Sequence, residues 1–249
     1  MKMTYFGMQA EMGITKHMGG KVATDTLVNM CDIKKGDKVL NIGCGIGTAS
    51  VYLAKKGMHV TGIDINPKMV RHAKDRAKRK GMEKSTKFVV ADAQSLPFKT
   101  GEFDAVVMES VMVFVPNKQK AMKEIKRVLK KGGSVGLNEV TWKKKPPQRI
   151  VDYIHRAIGG IEPLTKGGWI ALFEKAGFTK VQARTPKESM LSLMLGELTW
   201  LDPMTSIKAG IALFKMMFRK EVWGYVMGMF PLQFDIMDYY GYGLYAGKK

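Results

Sequence analysis

The stretch "VLNIGCGIGTAS", residues 39–50, constrains this chain more than any other. A short apolar run ends in three glycines within five positions, Gly43, Gly45 and Gly47. Glycine is entropically costly inside regular structure, so this density marks a backbone turn that must come close to something. A strand turning into a helix suits it, because bare backbone and the unbonded N–H groups of a helix start then face one spot. Two phosphate-binding loops fail on spacing. The last position of Gly-x-Gly-x-x-Gly falls on Thr48 counting from Gly43 and on Ser50 counting from Gly45. The Gly-Lys-Ser/Thr ending of a P-loop is missing as well.

Around this turn the chain alternates strand and helix from residue 38 to 140. Apolar runs "KVLNIG", "HVTGID", "TKFVVAD", "FDAVVMES" and "GSVGLNEV" are separated by helical stretches "TASVYLAKKG", "NPKMVRHAKDRAKRKG" and "NKQKAMKEIKRVLKKGG". Asn66 and Asn117 suit N-caps, Pro67 a first helical turn, and Gly57, Gly81 and Gly132 helix stops. Strands alternating with helices predict βαβ units and a parallel sheet, with ligands at the carboxyl ends of the strands. Pro146-Pro147 interrupts the pattern. Beyond it, "GGWIALFEKAGF" reads as an amphipathic helix, "TKVQAR" as a strand and "GYGLYAGKK" as a terminal strand.

At 249 residues, 45% hydrophobic and 25% charged, the chain suits one large globular domain. Its two cysteines, Cys31 and Cys44, make neither a disulfide framework nor a four-thiolate zinc site, so no metal is expected. "MKMTYFGMQAEMG" lacks the apolar core of a secretory signal, which predicts a cytoplasmic setting. The net charge of +19 lies almost wholly on the first 189 residues. It suits an anionic partner such as nucleic acid, an acidic membrane surface or an anionic metabolite, or it is a solubility feature of scattered helix-face lysines. The tail is instead rich in Met, Leu and aromatics. Its charge-free run from Val222 to Phe234 is too short for the roughly 20 residues a spanning helix needs.

Two acids follow the glycine turn at strand ends. Asp64 closes "VTGID" and can accept both hydroxyls of a ribose. Asp92 closes the third strand and can accept from an adenine amino group while the Ala93 N–H meets a ring nitrogen. The alternative for both is a turn or helix cap. Three neighbouring strand tips thus offer a loop, a ribose acceptor and an adenine acceptor without a phosphate cradle, which describes a nucleoside without phosphates.

In these residues the sequence resembles the class I S-adenosylmethionine-dependent methyltransferases, through "VLNIGCGIG", "VTGIDINPKMV", "FVVADAQSLPF", "FDAVVMES" and "EIKRVLKKGGSVGLNE". "HMGG" and "LPF" resemble the quinone and sterol C-methylating branch. The resemblance implies a Rossmann-like α/β fold: a seven-stranded, mostly parallel sheet with helices on both faces, its last strand antiparallel, and a helical cap before that strand. It divides the single domain into an N-terminal helical lid (1–30), a cofactor-binding core (31–141), a linker and cap segment (142–166), a core helix and strand (167–185), a Met- and aromatic-rich cap (186–240) and the terminal strand (241–249). The implied cofactor is S-adenosyl-L-methionine, held by Gly43, Cys44, Gly45, Gly47, Asp64, Ile65, Asp92, Ala93 and Glu109. The glycines face its methionine part, Asp64 its ribose, Asp92 with Ala93 its adenine, and Cys44 fills space beside it. One position departs from the pattern: Asn41 stands where an acid is usual, and an amide brings no charge to the cofactor's ammonium.

Candidate catalytic residues are His17, ahead of the sheet, and Glu109 and Glu139, at strand ends facing the mouth beside Ser110, Thr141 and Trp142. A histidine near the transferring methyl can take a proton from substrate; the alternatives are a surface histidine and ordinary loop or core positions. His59, His72 and His155 are assigned no role. The expected acceptor is a small molecule or lipid, above all an isoprenoid quinone-like ring, with residues 190–240 lining an apolar cavity over the methyl and peripheral contact with an anionic membrane. An RNA methyltransferase is disfavoured, because "MESV" replaces the Asn/Asp-Pro-Pro-aromatic signature and no Pro-Cys pair is present. A non-catalytic nucleoside-binding scaffold is the third reading, and arsenite methylation is excluded by too few thiolates. Oligomeric state is left open.

Overall fold

The computed structural model describes residues 5–15, 17–186, 203–228 and 235–249. Its centre is the predicted βαβ series: β1 (Lys38–Ile42), α3 (Thr48–Lys55), β2 (His59–Asp64), α4 (Pro67–Arg79), β3 (Thr86–Val90), β4 (Phe103–Glu109), α5 (Lys118–Val128) and β5 (Leu129–Trp142). Each helix starts where its sequence says. The Asn66 side chain accepts from the Lys68 N–H at 2.9 Å with Pro67 behind it, and Asn117 accepts from the Lys120 N–H at 2.9 Å. These caps satisfy helix donors that otherwise lack partners.

The sheet runs β3-β2-β1-β4-β5-β8-β7, where β7 is Thr179–Arg184 and β8 Tyr240–Lys248. Strands β1 to β5 pair in parallel, and β8 pairs antiparallel with both β5 and β7. These are the expected seven strands, mostly parallel with the last antiparallel, and a two-residue β6 (Leu164–Thr165) is added beside β5. The sheet's central strands are buried on both faces, as parallel strands under two helix layers must be. Leu40, Val106, Leu137 and Tyr245 are fully covered. The indole N–H of Trp169, in α7 (Lys166–Lys175), donates to the Val140 carbonyl at 3.0 Å and ties that helix to β5.

Two boundaries differ from the sequence reading. Helix α5 stops at Val128 rather than at Gly132, because Leu129 turns extended, pairs with Phe103 and is fully buried in the sheet. Burying that leucine outweighs the helical preference of the lysines after it. Strand β5 also runs two residues past the expected end, because β8 pairs with it as far as Trp142–Tyr240.

The N-terminal lid is two helices, α1 (Tyr5–Met12) and α2 (Gly20–Met30). Ala23 and Leu27 of α2 pack on Tyr242 and Leu244 of β8. Helix α1 places Ala10 on Ile46 of the glycine turn and Met69 of α4. His72, assigned nothing from sequence, holds the lid down: its Nε2 meets the Ala10 carbonyl at 3.1 Å. Residues 142–166 carry α6 (Gln148–Ile158). In the cap, α8 (Pro203–Met216), α9 (Lys220–Gly228) and the short α10 (Ile236–Tyr239) are described. Met216 and Val222 pack on Met8 and Met12, so the cap sits on the lid.

Candidate active site

A cavity of about 350 Å³ opens at the carboxyl ends of β1 to β4, a size that suits a small-molecule ligand. One side of its wall is Gly43, Cys44, Gly45, Asp64, Ile65, Asp92, Ala93 and Gln94; the other is Val111, Phe114, Val115 and Pro116, with Gln9, Thr15 and His17 from the lid. The carboxylates of Asp64 and Asp92 stand at the strand tips among apolar neighbours such as Ile42, Ile65 and Met69, and the loop after β4 adds a further apolar group.

The three glycines all have left-handed backbones, with φ of 68°, 53° and 77°. A Cβ on Gly43 would lie 2.2 Å from the Val111 side chain, and one on Gly45 2.3 Å from Thr15. What lies so close to this backbone is therefore, in part, the protein itself: the loop after β4 and the lid. Gly47 is not in the wall. Its Cβ direction meets Ala73 of α4 at 2.9 Å, so it is bare for helix packing and not to face a ligand. Cys44 is buried, and burial pushes its thiol well up, which keeps it protonated and inert.

Asp64 accepts the Gly45 N–H through Oδ2 and the Asn66 N–H through Oδ1, both at 2.9 Å. Burial raises its pKa, and the two backbone donors work against that rise. Asp92 accepts the Gln94 N–H at 2.8 Å in a tight turn. Both acids thus perform the capping role set against them from sequence and still face the cavity. A carboxylate has about four lone-pair directions, so neither is exhausted. Asn41 lines the wall, its amide donating to Ser50 Oγ at 2.9 Å.

Glu109, at the tip of β4, is buried. Its Oε1 accepts from Thr24 Oγ at 2.8 Å, its Oε2 has no hydrogen-bond partner, and His17 Nε2 lies 3.5 Å from Oε1. That His17 nitrogen also meets the Gly20 carbonyl at 3.1 Å and Thr24 Oγ at 3.2 Å. The carbonyl can only accept, so Nε2 carries a hydrogen and donates to it. Ser110 takes the left-handed conformation (φ 56°), and its buried Oγ has no partner either. Strained, unsatisfied polar groups at a strand tip are what a binding site leaves for its ligand. His17, Glu109, Asp64 and Asp92 are thus brought to one cavity.

Glu139 is not brought there. It lies inside β5, fully buried, with Oε1 accepting the Val111 and Met112 N–H groups at 2.9 and 2.6 Å and Oε2 the Val113 N–H at 3.4 Å. Its role is to fix the turn that sets Val111 over Gly43. Thr141 and Trp142 are likewise strand residues outside the wall; Thr141 shares a hydrogen bond with Tyr245 OH at 2.8 Å. The expectation that residues 190–240 line the cavity is corrected for the described part: none of those described residues is in the wall, because α8 and α9 rest on α1 instead. Residues 187–202 and 229–234 lie outside the described residues. Thr24 was missed altogether. Nothing local marks it, because its meaning depends on α2 crossing the tip of β4.

This wall fits a phosphate-free adenosine carrying an amino acid: acceptors at successive strand tips, and an unpartnered buried carboxylate on the next strand. Residues 40–137 match the family model described as "Methyltransferase domain". A protein of Haemophilus influenzae called "Uncharacterized protein" is 32% identical over 188 residues, 74% of this chain and 75% of that one. The chain belongs to the class I S-adenosylmethionine-dependent methyltransferases: it is an enzyme, and S-adenosyl-L-methionine is its cofactor.

Within that class, it is 40% identical over 114 residues to "Sterol 24-C-methyltransferase ERG6B" of Gibberella zeae, covering 45% of this chain and 30% of that enzyme. Among solved structures, "[4+2]-Cyclase SpnF" superposes with a TM-score of 0.75 at 21% identity, over 95% of this chain and 87% of that one, a likeness of fold. No helix among the described residues is long and apolar enough to cross a membrane.

Proposed function

We propose that this methyltransferase modifies a small lipophilic acceptor, an isoprenoid quinone-like ring or a lipid. The observation that carries the reading is that Val111, Phe114, Val115 and Pro116 line the same cavity as the strand-tip acids. The likeness to a sterol C-methyltransferase supports it. When bound, the cofactor supplies a methyl group already activated on a sulfonium. The chain's own task is then to hold, align and keep dry.

Asp64 takes the ribose hydroxyls, and Asp92 with the Ala93 N–H takes the adenine edge. Ile65, exposed at the wall, covers the base, and the Gly43 and Gly45 backbone borders the methionine part. Phe114 and its apolar neighbours hold the acceptor. His17 receives a proton where the attacking atom arrives protonated.

Calorimetry with S-adenosylhomocysteine tests the polar half. Asp64→Ala and Asp92→Ala should each weaken binding by about tenfold or more, as for the loss of a charge-assisted hydrogen bond. Transfer of labelled methyl into the organic phase of a lipid extract tests the apolar half. Label confined to water-soluble products refutes a lipophilic acceptor.

A second feature supports contact with an anionic membrane. Ile207, Ile211, Phe214 and Phe218 form one stripe along α8 and its end, each more than half exposed, and Trp223 and Met227 continue it on α9. Lys215 and Lys220 are exposed beside the stripe, while the acids Glu11 and Glu221 are both paired with Arg219. An apolar face edged by exposed lysines suits a negatively charged lipid surface.

A further inference from the structure

S-adenosylmethionine presents an amino-acid ammonium beside its carboxylate, and an ammonium leaving water for a protein cavity needs acceptors for its hydrogens, a carboxylate above all. Among the described residues, three carboxylates reach the wall: Asp64, Asp92 and Glu109. Both oxygens of Asp64 already hold backbone N–H groups, from Gly45 and Asn66. Asp92 is folded onto Gln94, whose backbone N–H and side-chain amide both donate to it. Glu109 differs. Thr24 secures one oxygen, and the other is buried and without a partner.

The sheet register puts Glu109 in the right place. Asn41 on β1 lies level with Val107 on β4, and Ile42 with Met108. Side chains alternate along a strand, so Glu109 emerges on the same sheet face as Asn41, one strand across and one pleat nearer the tips. It thereby stands beside the Gly43 backbone. Asn41, at the position from which an acid is missing, turns its amide to Ser50.

We propose that Glu109 is the carboxylate that binds the cofactor's ammonium, with Oε2 as the acceptor. Thr24 is its positioning residue: the hydroxyl fixes Oε1 and so leaves Oε2 as the unpartnered oxygen of a residue in the cavity wall. The same hydroxyl accepts from His17, which joins the lid and the ammonium site through one side chain. This inference rests on the cofactor assignment and goes beyond it by naming the ionic contact.

The test is calorimetry on the full chain with two probes, S-adenosylhomocysteine and its analogue lacking only the α-amino group. Wild type should prefer the amino compound by about thirtyfold, as for a buried charge-assisted pair. In Glu109→Gln, which keeps an oxygen for Thr24, the preference should fall below about threefold, almost all of it through weaker binding of the amino compound. Thr24→Val should give an intermediate preference and carries the test if the glutamine variant does not fold.

Equal weakening of both probes in Glu109→Gln, or a preference unchanged in the variants, overturns the inference and moves Glu109 to a structural or acceptor-binding role. Wild type that binds neither probe overturns the cofactor assignment itself.

Discussion

Glu139 offers the most direct physical test, because the prediction has a sign as well as a size. Its carboxyl is fully buried in β5, and burial pushes its pKa from an ordinary 4.5 up to about 7, against the pull of three backbone N–H groups and Lys118. Unfolded, the group ionises near 4.5; folded, near 7. Between those pH values the folded state binds more protons than the unfolded one, so the group's contribution to stability falls as pH rises. The gap between the two pKa values corresponds to about 3 kcal/mol, most of it lost between pH 5 and pH 8.

Replacing Glu139 with Gln removes the ionisation but keeps an oxygen for Val111 and Met112. It sets an amide N–H against the Val113 N–H, which makes the variant the less stable protein at pH 5, by about 1 kcal/mol. By pH 8 that deficit should be gone or reversed. Urea unfolding of both proteins at the two pH values measures the difference. A gap between wild type and variant that stays constant within about 0.5 kcal/mol across this range would refute the reasoning.

Gly47→Ala should lower stability by about 2 kcal/mol, read from the urea midpoint, because alanine would need a left-handed backbone and its Cβ would lie 2.9 Å from Ala73. Since Gly47 is outside the cavity wall, affinity for S-adenosylhomocysteine below the transition should stay within about threefold of wild type; a large selective loss would return Gly47 to the ligand. For the exposed stripe, wild type should float with phosphatidylglycerol vesicles and not with phosphatidylcholine vesicles. The pair Phe214→Ser with Phe218→Ser should abolish flotation without changing the melting temperature by more than about 2 °C. Flotation unaffected by these changes, or a concentration-dependent dimer that they dissolve, would remove the membrane reading.

The elements legible in the sequence are those whose meaning is local. Asn66, Asn117 and Pro67 announce helix starts because a cap needs only the next few residues. The parallel pairing of the strands follows because a parallel pair requires a crossover, and each crossover is spelled out between its strands. Asp64 and Asp92 could be placed at the cavity for the same reason: a residue that closes a strand must lie at its tip. What failed had non-local causes. Glu139 reads as a strand-end acid until β8, about a hundred residues later, pairs with β5 and extends it past that point. Gly47 looks like its two neighbours in the glycine turn, and only the approach of Ala73 separates packing from ligand contact.

The cap was misassigned for a related reason. A Met-rich, aromatic stretch lines a cavity or covers a lid with equal ease, since both need apolar surface. Here the described part covers the lid, and the loop after β4 supplies the apolar wall with Val111, Phe114, Val115 and Pro116. Glu109 shows the other side of this limit. Its place was legible, since it ends β4, but its state was not: an acid becomes a demand for a cation only when burial strips its water and one oxygen is left without a donor. That condition is set by Thr24, on a helix 85 residues earlier in the chain. Under the proposal for Glu109, an asparagine at position 41 does not weaken the site, because a carboxylate on the same sheet face stands one strand away.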